Sequence, residues 1–159
     1  MRFPRERYLQ QVSFDKYNYF LIITANRFSA DDIWLANEVR KLGKQFFFIR
    51  TKLAIDVRND KKDNPGKSKD ETVNKIQLAM SKHVANASFE GVRVFLIDNH
   101  CPLDFDFPDL NETMINEAPT WKQEAMTFTM ANLTESLIHR KKAALQKRIM
   151  IVGIGSAIG

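Results

Sequence analysis

The stretch FFFIRTKLAIDVRND, residues 46–60, decides the fold of this chain. It begins with three phenylalanines and an isoleucine, the aromatic and β-branched residue types that are enriched in strands. The run stops abruptly at the polar residues Arg50, Thr51 and Lys52. Because a buried strand is followed at once by a polar loop, this loop is the first candidate for a binding site.

Strand-like and helix-like segments alternate on both sides of this stretch, which predicts a mostly parallel α/β sheet. Residues 18–24, NYFLIIT, are a near-continuous apolar run, as expected of a strand that is buried on both faces. A helix is expected to begin at Ser29, with Asp32 completing a capping box, and to end at Gly43. Further along, the patterns predict a helix over about 69–86 and a strand over 92–98.

The composition and the predicted secondary structure of the chain change after Pro102. An acid-rich segment with one short helix is expected first, and then two helices over roughly 120–131 and 133–150. The second helix carries Leu133, Leu137 and Ile138 on an apolar side. We place a soft domain boundary near residue 118, between an α/β portion (1–118) and the start of a helical region (119–159). The polar linker NDKKDNPGKSKDE, residues 59–71, is predicted to be a mobile surface loop.

Composition narrows the classes of function. With 159 residues, 44% of them apolar, the chain can bury the core of one globular domain. The net charge is +5, but acids are interspersed among the basic runs and no aromatic residues interleave them, so no nucleic-acid partner is predicted. The single cysteine and the three separate histidines have no ligand or nucleophile spacing. The sequence therefore predicts no catalytic residue and no metal site.

The Thr51-Lys52 pair stands where GTP-binding proteins carry the guanine-reading motif [N/T]-K-x-D. The position at which that motif requires an acid is Ala54, and the next acid, Asp56, comes two residues late. Taken alone, this match is weak evidence for a nucleotide site.

The order of several longer segments is more specific. Together they are similar to the immunity-related (interferon-inducible) GTPase family, over nearly the whole chain. The segments that carry the resemblance are YLQQVSF (8–14), NRFSADDIWLA (26–36), GKQFFFIRTK (43–52), VFLIDN (94–99), DFDFP (104–108) and LTESLIHRKKAAL (133–145).

The resemblance implies an α/β fold, a partial Ras-like P-loop G domain with a mostly parallel sheet and flanking helices, followed by a helical segment. It also implies GTP or GDP as ligand. The residues expected to recognise the base are Thr51, Lys52, Asp56, Asp98 and Asn99. In the family the lysine stem lies along the base, which we carry to Lys52, and Asp56 matches a second acid of the family pattern.

The family's phosphate-binding loop, GxxxxGK[ST], is not found in these residues. The chain is expected to start just after the family's DxPG turn, and an incomplete gene prediction, an alternative start and a degenerate copy remain open alternatives. Such loops cradle the phosphates and hold Mg²⁺. Mg²⁺ binding and hydrolysis would therefore need the missing upstream half, and whether this chain is an enzyme is left open.

The base-recognition residues depart from the family at two positions. Replacing the guanine-reading acid by Ala54 removes two charge-assisted hydrogen bonds, at about 1.5–3 kcal/mol each. The two lost bonds together amount to roughly 3–6 kcal/mol, which corresponds to a loss of two to four decades in affinity for guanine. Asp98 stands where the family has serine. It either supplies the lost acid from across the pocket or, as the favoured alternative, caps the following turn.

Two functions of different class follow. The first is that of an interferon-inducible GTPase, which binds and hydrolyses GTP in innate defence at intracellular membranes, here as a truncated or degenerate copy. The second is a non-catalytic module that binds other family GTPases, as a homo- or hetero-oligomer, or membranes. In either case the guanine nucleotide is bound weakly or not at all, and a cytoplasmic location, peripheral on intracellular membranes, is expected.

Overall fold

The computed structural model describes residues 5–130 and 135–156. The chain divides into two compact units, Met1–Leu96 and Ile97–Gly159. The boundary near residue 118, which the change in sequence pattern predicts between an α/β portion and a helical portion, stays a prediction.

The first unit contains the sheet and the helices that alternate with it. Its elements in chain order are α1 (Arg5–Gln11), a single 3-10 turn (Phe14–Lys16), β1 (Tyr19–Thr24), α2 (Ala30–Lys41), β2 (Gln45–Arg50), α3 (Leu53–Asp63), α4 (Lys69–Asn86) and β3 (Val94–Leu96). The three strands lie in the order β1-β2-β3, and both pairs are parallel. This small parallel sheet with flanking helices confirms the predicted fold class.

The registers of the two strand pairs place Ile22 beside Phe48, and Phe48 beside Val94. Side chains alternate between the two faces along each strand, so these three paired side chains lie on the same face of the sheet. All three are almost entirely buried. Helix α2 contacts β1 and β2, and α4 contacts β3. The core of this unit is therefore built on β2, the central strand.

A cluster of phenylalanine rings gives the core its shape. The ring centroid of Phe48 lies 4.7 Å from that of Phe28 and 5.4 Å from those of Phe46 and Phe89. The pairs with Phe46 and Phe89 meet edge to face, the arrangement that the ring quadrupole favours. The guanidinium of Arg40 lies 4.5 Å from the centre of the Phe89 ring and closes one side of the cluster.

Helix α2 begins as its sequence predicts. The backbone N–H of Ser29 donates to the Asp32 carboxylate at 2.7 Å, and the Asp32 N–H donates to the Ser29 hydroxyl at 3.2 Å. This reciprocal pair is a capping box. After the helix, Gly43 adopts a φ of +64°, a left-handed conformation that glycine reaches without a Cβ clash. Both predicted ends of the helix are thus confirmed.

Two predicted boundaries differ from the structure. Residues 53–63 are helical, although the sequence patterns predicted a polar loop directly after the strand and a mobile linker from residue 59. The helix forms because its first residue, Leu53, is fully buried and because α3 packs against α4. Strand β3 covers Val94–Leu96, which is shorter than the predicted 92–98.

The described part of the second unit is mostly helical after residue 106. It contains α5 (Phe107–Glu117), α6 (Thr120–Thr129) and α7 (Glu135–Ser156). Arg140 of α7 donates to the side-chain oxygen of Asn116 at 2.8 Å, and Lys141 donates to the Met130 carbonyl at 2.8 Å. Of the apolar side predicted for α7, Leu133 lies outside the described residues, and Ile138 is half exposed. None of the helices within residues 5–130 and 135–156 combines the length with the apolar composition that a membrane span requires.

Candidate functional site

The Thr51-Lys52 pair lies between the end of β2 and the start of α3. This is the carboxyl edge of the parallel sheet, where open α/β sheets bind their ligands. The backbone N–H of Thr51 donates to the carbonyl of Thr24 at 2.9 Å. Since Thr24 is the last residue of β1, this bond extends the β1–β2 pairing by one residue and fixes where the loop leaves the sheet.

Lys52 has an uncommon backbone conformation. Its φ is 66° and its ψ 31°, the left-handed region that residues other than glycine, asparagine and aspartate seldom occupy. Its carbonyl accepts a hydrogen bond from Ile55 at 3.2 Å, which closes the first turn of α3. The Lys52 side chain is exposed. The backbone is thus held on both sides while the side chain faces solvent.

Ala54 lies in the first turn of α3 and is half-buried. A methyl group has no acceptor for the N1–H and exocyclic amine of guanine, the two donors that an aspartate at this position would bind. The first turn of α3 does contain one acid, Asp56. Its carboxylate accepts a hydrogen bond from the Nη2 group of Arg50 and forms an ion pair with it.

Arg50 is a residue whose role the sequence patterns missed. It ends β2, and its side chain is only 7% exposed. The guanidinium donates through Nη1 to the Thr51 carbonyl and through Nη2 to Asp56. A buried cation is tolerated only with such partners. An arginine that ends an otherwise apolar strand, six residues before an acid, was the available signal.

A second polar cluster joins α3 to α4. The Asp60 carboxylate accepts hydrogen bonds from Lys67 and Thr72, and from the side-chain amide of Asn64 at 3.0 Å. The bonds from Lys67 and Thr72 lower the pKa of the Asp60 carboxyl from 3.8 to about 2. These contacts order the turn that the sequence patterns assigned to a mobile linker.

A cavity of about 350 Å³ opens between these two clusters. Its polar walls carry the Arg50–Asp56 pair and Asp60, together with Asn59 and Lys75. Thr72, Ile76 and Ala79 complete the lining. The two cations and two acids of the lining balance each other, so the cavity presents no net charge to a ligand.

Asp98 and Asn99 belong to the second unit. Asp98 is buried, and its Oδ1 accepts a hydrogen bond from the backbone N–H of His100 at 2.9 Å. The Asp98 carbonyl accepts from the N–H of Cys101 at 3.2 Å. These bonds are those of an aspartate that stabilises the turn after a strand, the favoured alternative of the sequence analysis. Asn99 is exposed.

Of the five residues predicted to recognise the base, Thr51, Lys52 and Asp56 lie together around the start of α3, where Asp56 is paired with Arg50. Within residues 5–130 and 135–156 no group of three or more His, Cys, Asp and Glu side chains could hold a metal ion.

Comparison with known proteins identifies relatives of one kind. The family model for interferon-inducible GTPases matches residues 1–158. The chain is 33% identical over 150 residues to interferon-gamma-inducible GTPase 10 of Mus musculus, covering 94% of this chain and 36% of that protein. It is 30% identical over 155 residues to interferon-inducible GTPase 1 of the same organism, covering 97% and 38%. It is also 28% identical over 154 residues to the immunity-related GTPase family M protein of Rattus norvegicus, covering 97% and 36%. The chain thus spans little more than a third of the length of these relatives.

Proposed function

Since the chain belongs to the interferon-inducible GTPase family, we propose that its first unit carries the base-binding segment of a guanine-nucleotide site. The observation that supports this most is the left-handed Lys52 at the carboxyl edge of the sheet, with its side chain exposed. The segment is anchored by the hydrogen bond from the Thr51 N–H to Thr24 of β1 and by the buried side chain of Leu53. A lysine stem that is held in this way can lie along the face of a planar base.

The proposed site discriminates poorly between bases. Ala54 offers no acceptor, and the Asp56 carboxylate is already used by Arg50. Two charge-assisted hydrogen bonds are missing, which corresponds to roughly 3–6 kcal/mol of guanine preference. We therefore propose that these residues bind guanine and adenine nucleotides with similar affinity, no tighter than millimolar, through Lys52 and backbone donors. Asp98 and Asn99 are included in the proposed base site by resemblance alone.

Triphosphate binding, Mg²⁺ binding and hydrolysis are proposed to depend on residues outside these 159. No GxxxxGK[ST] motif occurs within them, and such a loop supplies the N–H groups, lysine and hydroxyl that bind phosphate and Mg²⁺. A reading frame that encodes this motif about 60 residues upstream would support GTP hydrolysis by the longer protein. A transcript that begins at Met1 would contradict it.

The proposed base contact can be tested by titrating GDP and ADP into the chain, with chemical-shift changes as the readout. We expect millimolar binding of both nucleotides and shift changes at Lys52. Lys52→Ala should abolish them, whereas Lys61→Ala, an exposed lysine at the other end of α3, should not. Equal binding by the native chain and Lys52→Ala would contradict the proposal. Micromolar, guanine-selective binding would mean that Asp56 or Asp98 has replaced the missing acid.

We also propose a second function, a non-catalytic interaction module, which is supported by the edge of β1 that faces away from β2. This strand pairs with β2 on one side only among the described residues. It has neither charge nor proline in NYFLIIT, and Leu21 and Ile23 are 40% and 54% exposed. Such an edge can add a strand from another chain. We propose association with a second copy or another family GTPase along this edge, for a chain in which no other segment covers it.

A further inference from the structure

Arg50 makes two bonds that converge on one short segment. Its guanidinium donates to the carbonyl of Thr51, the residue that follows it, and to the carboxylate of Asp56, one turn into α3. Lys52, the left-handed residue, lies between these two acceptors along the chain. The start of α3 and the end of β2 are therefore tied together by one side chain across Lys52, a non-glycine residue with a positive φ.

The left-handed conformation of Lys52 needs such a tie. In this region the Cβ of an L-residue approaches the following carbonyl, and only glycine avoids the cost. Such residues persist only where the surrounding structure holds them. Neither a capping side chain at Lys52 nor a glycine stabilises this position, so the hold comes from the residues on either side.

We propose that the Arg50–Asp56 ion pair is the device that holds Lys52 in its left-handed conformation and so directs its side chain toward a bound base. Arg50 and Asp56 are then positioning residues, and neither contacts the base. This inference rests on the proposed function for its role in binding, but its effect on the Lys52 backbone is independent of any nucleotide.

The same ion pair gives Asp56 a structural role in place of the base-recognition role that the family resemblance implies. An acid that serves as the counter-ion of a buried arginine cannot turn to a base without leaving that arginine unpaired, which is strongly unfavourable. The acid that follows the guanine-reading position is therefore a fixed element of the loop and does not replace the side chain missing at Ala54.

Helix α3 offers a matched control. Asp60 lies one turn after Asp56 and, like it, is half-buried in an ion pair within the first unit, but its partner is Lys67 and its bonds lie in the turn toward α4. Asp56→Ala and Asp60→Ala each remove one ion-paired carboxylate from the same helix. Only the first should affect Lys52. Asp56→Asn, which keeps an acceptor oxygen for Arg50, should recover the native behaviour in part.

The direct readout is the NOE between the amide proton and Hα of Lys52, which is strong only when φ is positive. We expect it to weaken in Asp56→Ala and to stay strong in Asp60→Ala. Cleavage by a lysine-specific protease after Lys52 is a second readout that needs no assignment. It should become about tenfold faster in Asp56→Ala, in keeping with the population penalty of the left-handed region. Asp60→Ala should speed cleavage only at the lysines of the α3–α4 turn.

Two results would overturn the inference: an unchanged NOE and cleavage rate at Lys52 in Asp56→Ala, or equal changes in both variants, as expected of general destabilisation. Native amide shifts for β1 and β2 provide the check that each variant is folded.

Nucleotide titration then separates the claim about the Lys52 backbone from the claim about base binding. Should the native chain bind no nucleotide, the proposed function fails, while the NOE still decides whether the pair positions Lys52. Should it bind, Asp56→Ala is expected to weaken binding about tenfold, and Asp60→Ala is not.

Discussion

Lys67 donates a hydrogen bond to the Asp60 carboxylate across the turn that joins α3 to α4. Thr72, which is buried, donates to the same carboxylate from the first turn of α4. One carboxylate thus links the end of one helix to the start of the next. The residues between the helices include Pro65 and Gly66, across which the Lys67 N–H donates to the Asn64 carbonyl at 3.0 Å, so side-chain bonds to Asp60 and this backbone turn together order the connection.

Stability should depend on pH through Asp60. Its pKa is about 2 in the folded chain, below its ordinary value of 3.8. The carboxylate therefore stabilises the fold fully above about pH 4, and this contribution is lost as the pH falls toward 2. We expect the difference in free energy of unfolding between the native chain and Asp60→Asn to shrink as the pH falls through this window. Urea unfolding at about pH 5 and about pH 2.5 measures this difference.

Asp63→Asn is the control for this pH dependence, because Asp63 is exposed near the end of the same helix. Its difference from the native chain should stay constant over the same range. A difference for Asp60→Asn that does not change with pH would contradict the proposed stabilisation.

Restoring the guanine-reading acid should restore base preference only in a chain that also binds phosphate. Ala54→Asp returns two charge-assisted acceptors, which can raise the GDP-over-ADP preference by at most two to four decades, since each bond contributes roughly 1.5–3 kcal/mol. In the 159-residue chain an unanchored base should gain little. Calorimetric titration with GDP and ADP, on this chain and on a version extended upstream, gives the comparison.

The edge of β1 that faces away from β2, which no other strand covers among residues 5–130 and 135–156, should cause self-association of the 159-residue chain. Ile23→Lys is expected to raise the monomer fraction, because a charge on an edge strand opposes further pairing. Sedimentation velocity measures the fraction. Leu78→Lys, at a residue 73% exposed on α4, is the control and should leave it unchanged. A monodisperse monomer of the native chain that unfolds cooperatively at high temperature would refute this prediction.

The phenylalanine cluster should dominate the stability of the first unit. Phe48 is fully buried and contacts three other rings, so Phe48→Ala is expected to cost about 3–5 kcal/mol of unfolding free energy. Tyr17→Ala, at a residue 51% exposed, should cost less than about 1 kcal/mol. Urea unfolding of both variants tests the difference. Similar losses of unfolding free energy in Phe48→Ala and Tyr17→Ala would contradict the prediction that the phenylalanine cluster dominates the stability of this unit.

The sequence by itself determined the order and type of the main elements. Apolar runs marked β1 and β2, and the capping box at Ser29 and Asp32 marked the start of α2. These signals are local, because a capping side chain and its backbone partner lie three residues apart and a buried strand is apolar over its whole length. The order of the longer motifs also identified the family, which the family model then matched over residues 1–158.

Tertiary structure decided the features that depend on contacts between elements. Helix α3 forms in a segment whose polar composition predicted a loop, because Leu53 is buried and α4 packs against it. The six-residue spacing of Arg50 and Asp56 was a signal but did not by itself establish their ion pair, because the pair forms only when β2 ends at Arg50 and α3 begins at Leu53. The sequence therefore determined which side chains stand at the candidate site. The tertiary structure decided which of them are already bound to one another, because a buried charge must find its partner within the fold.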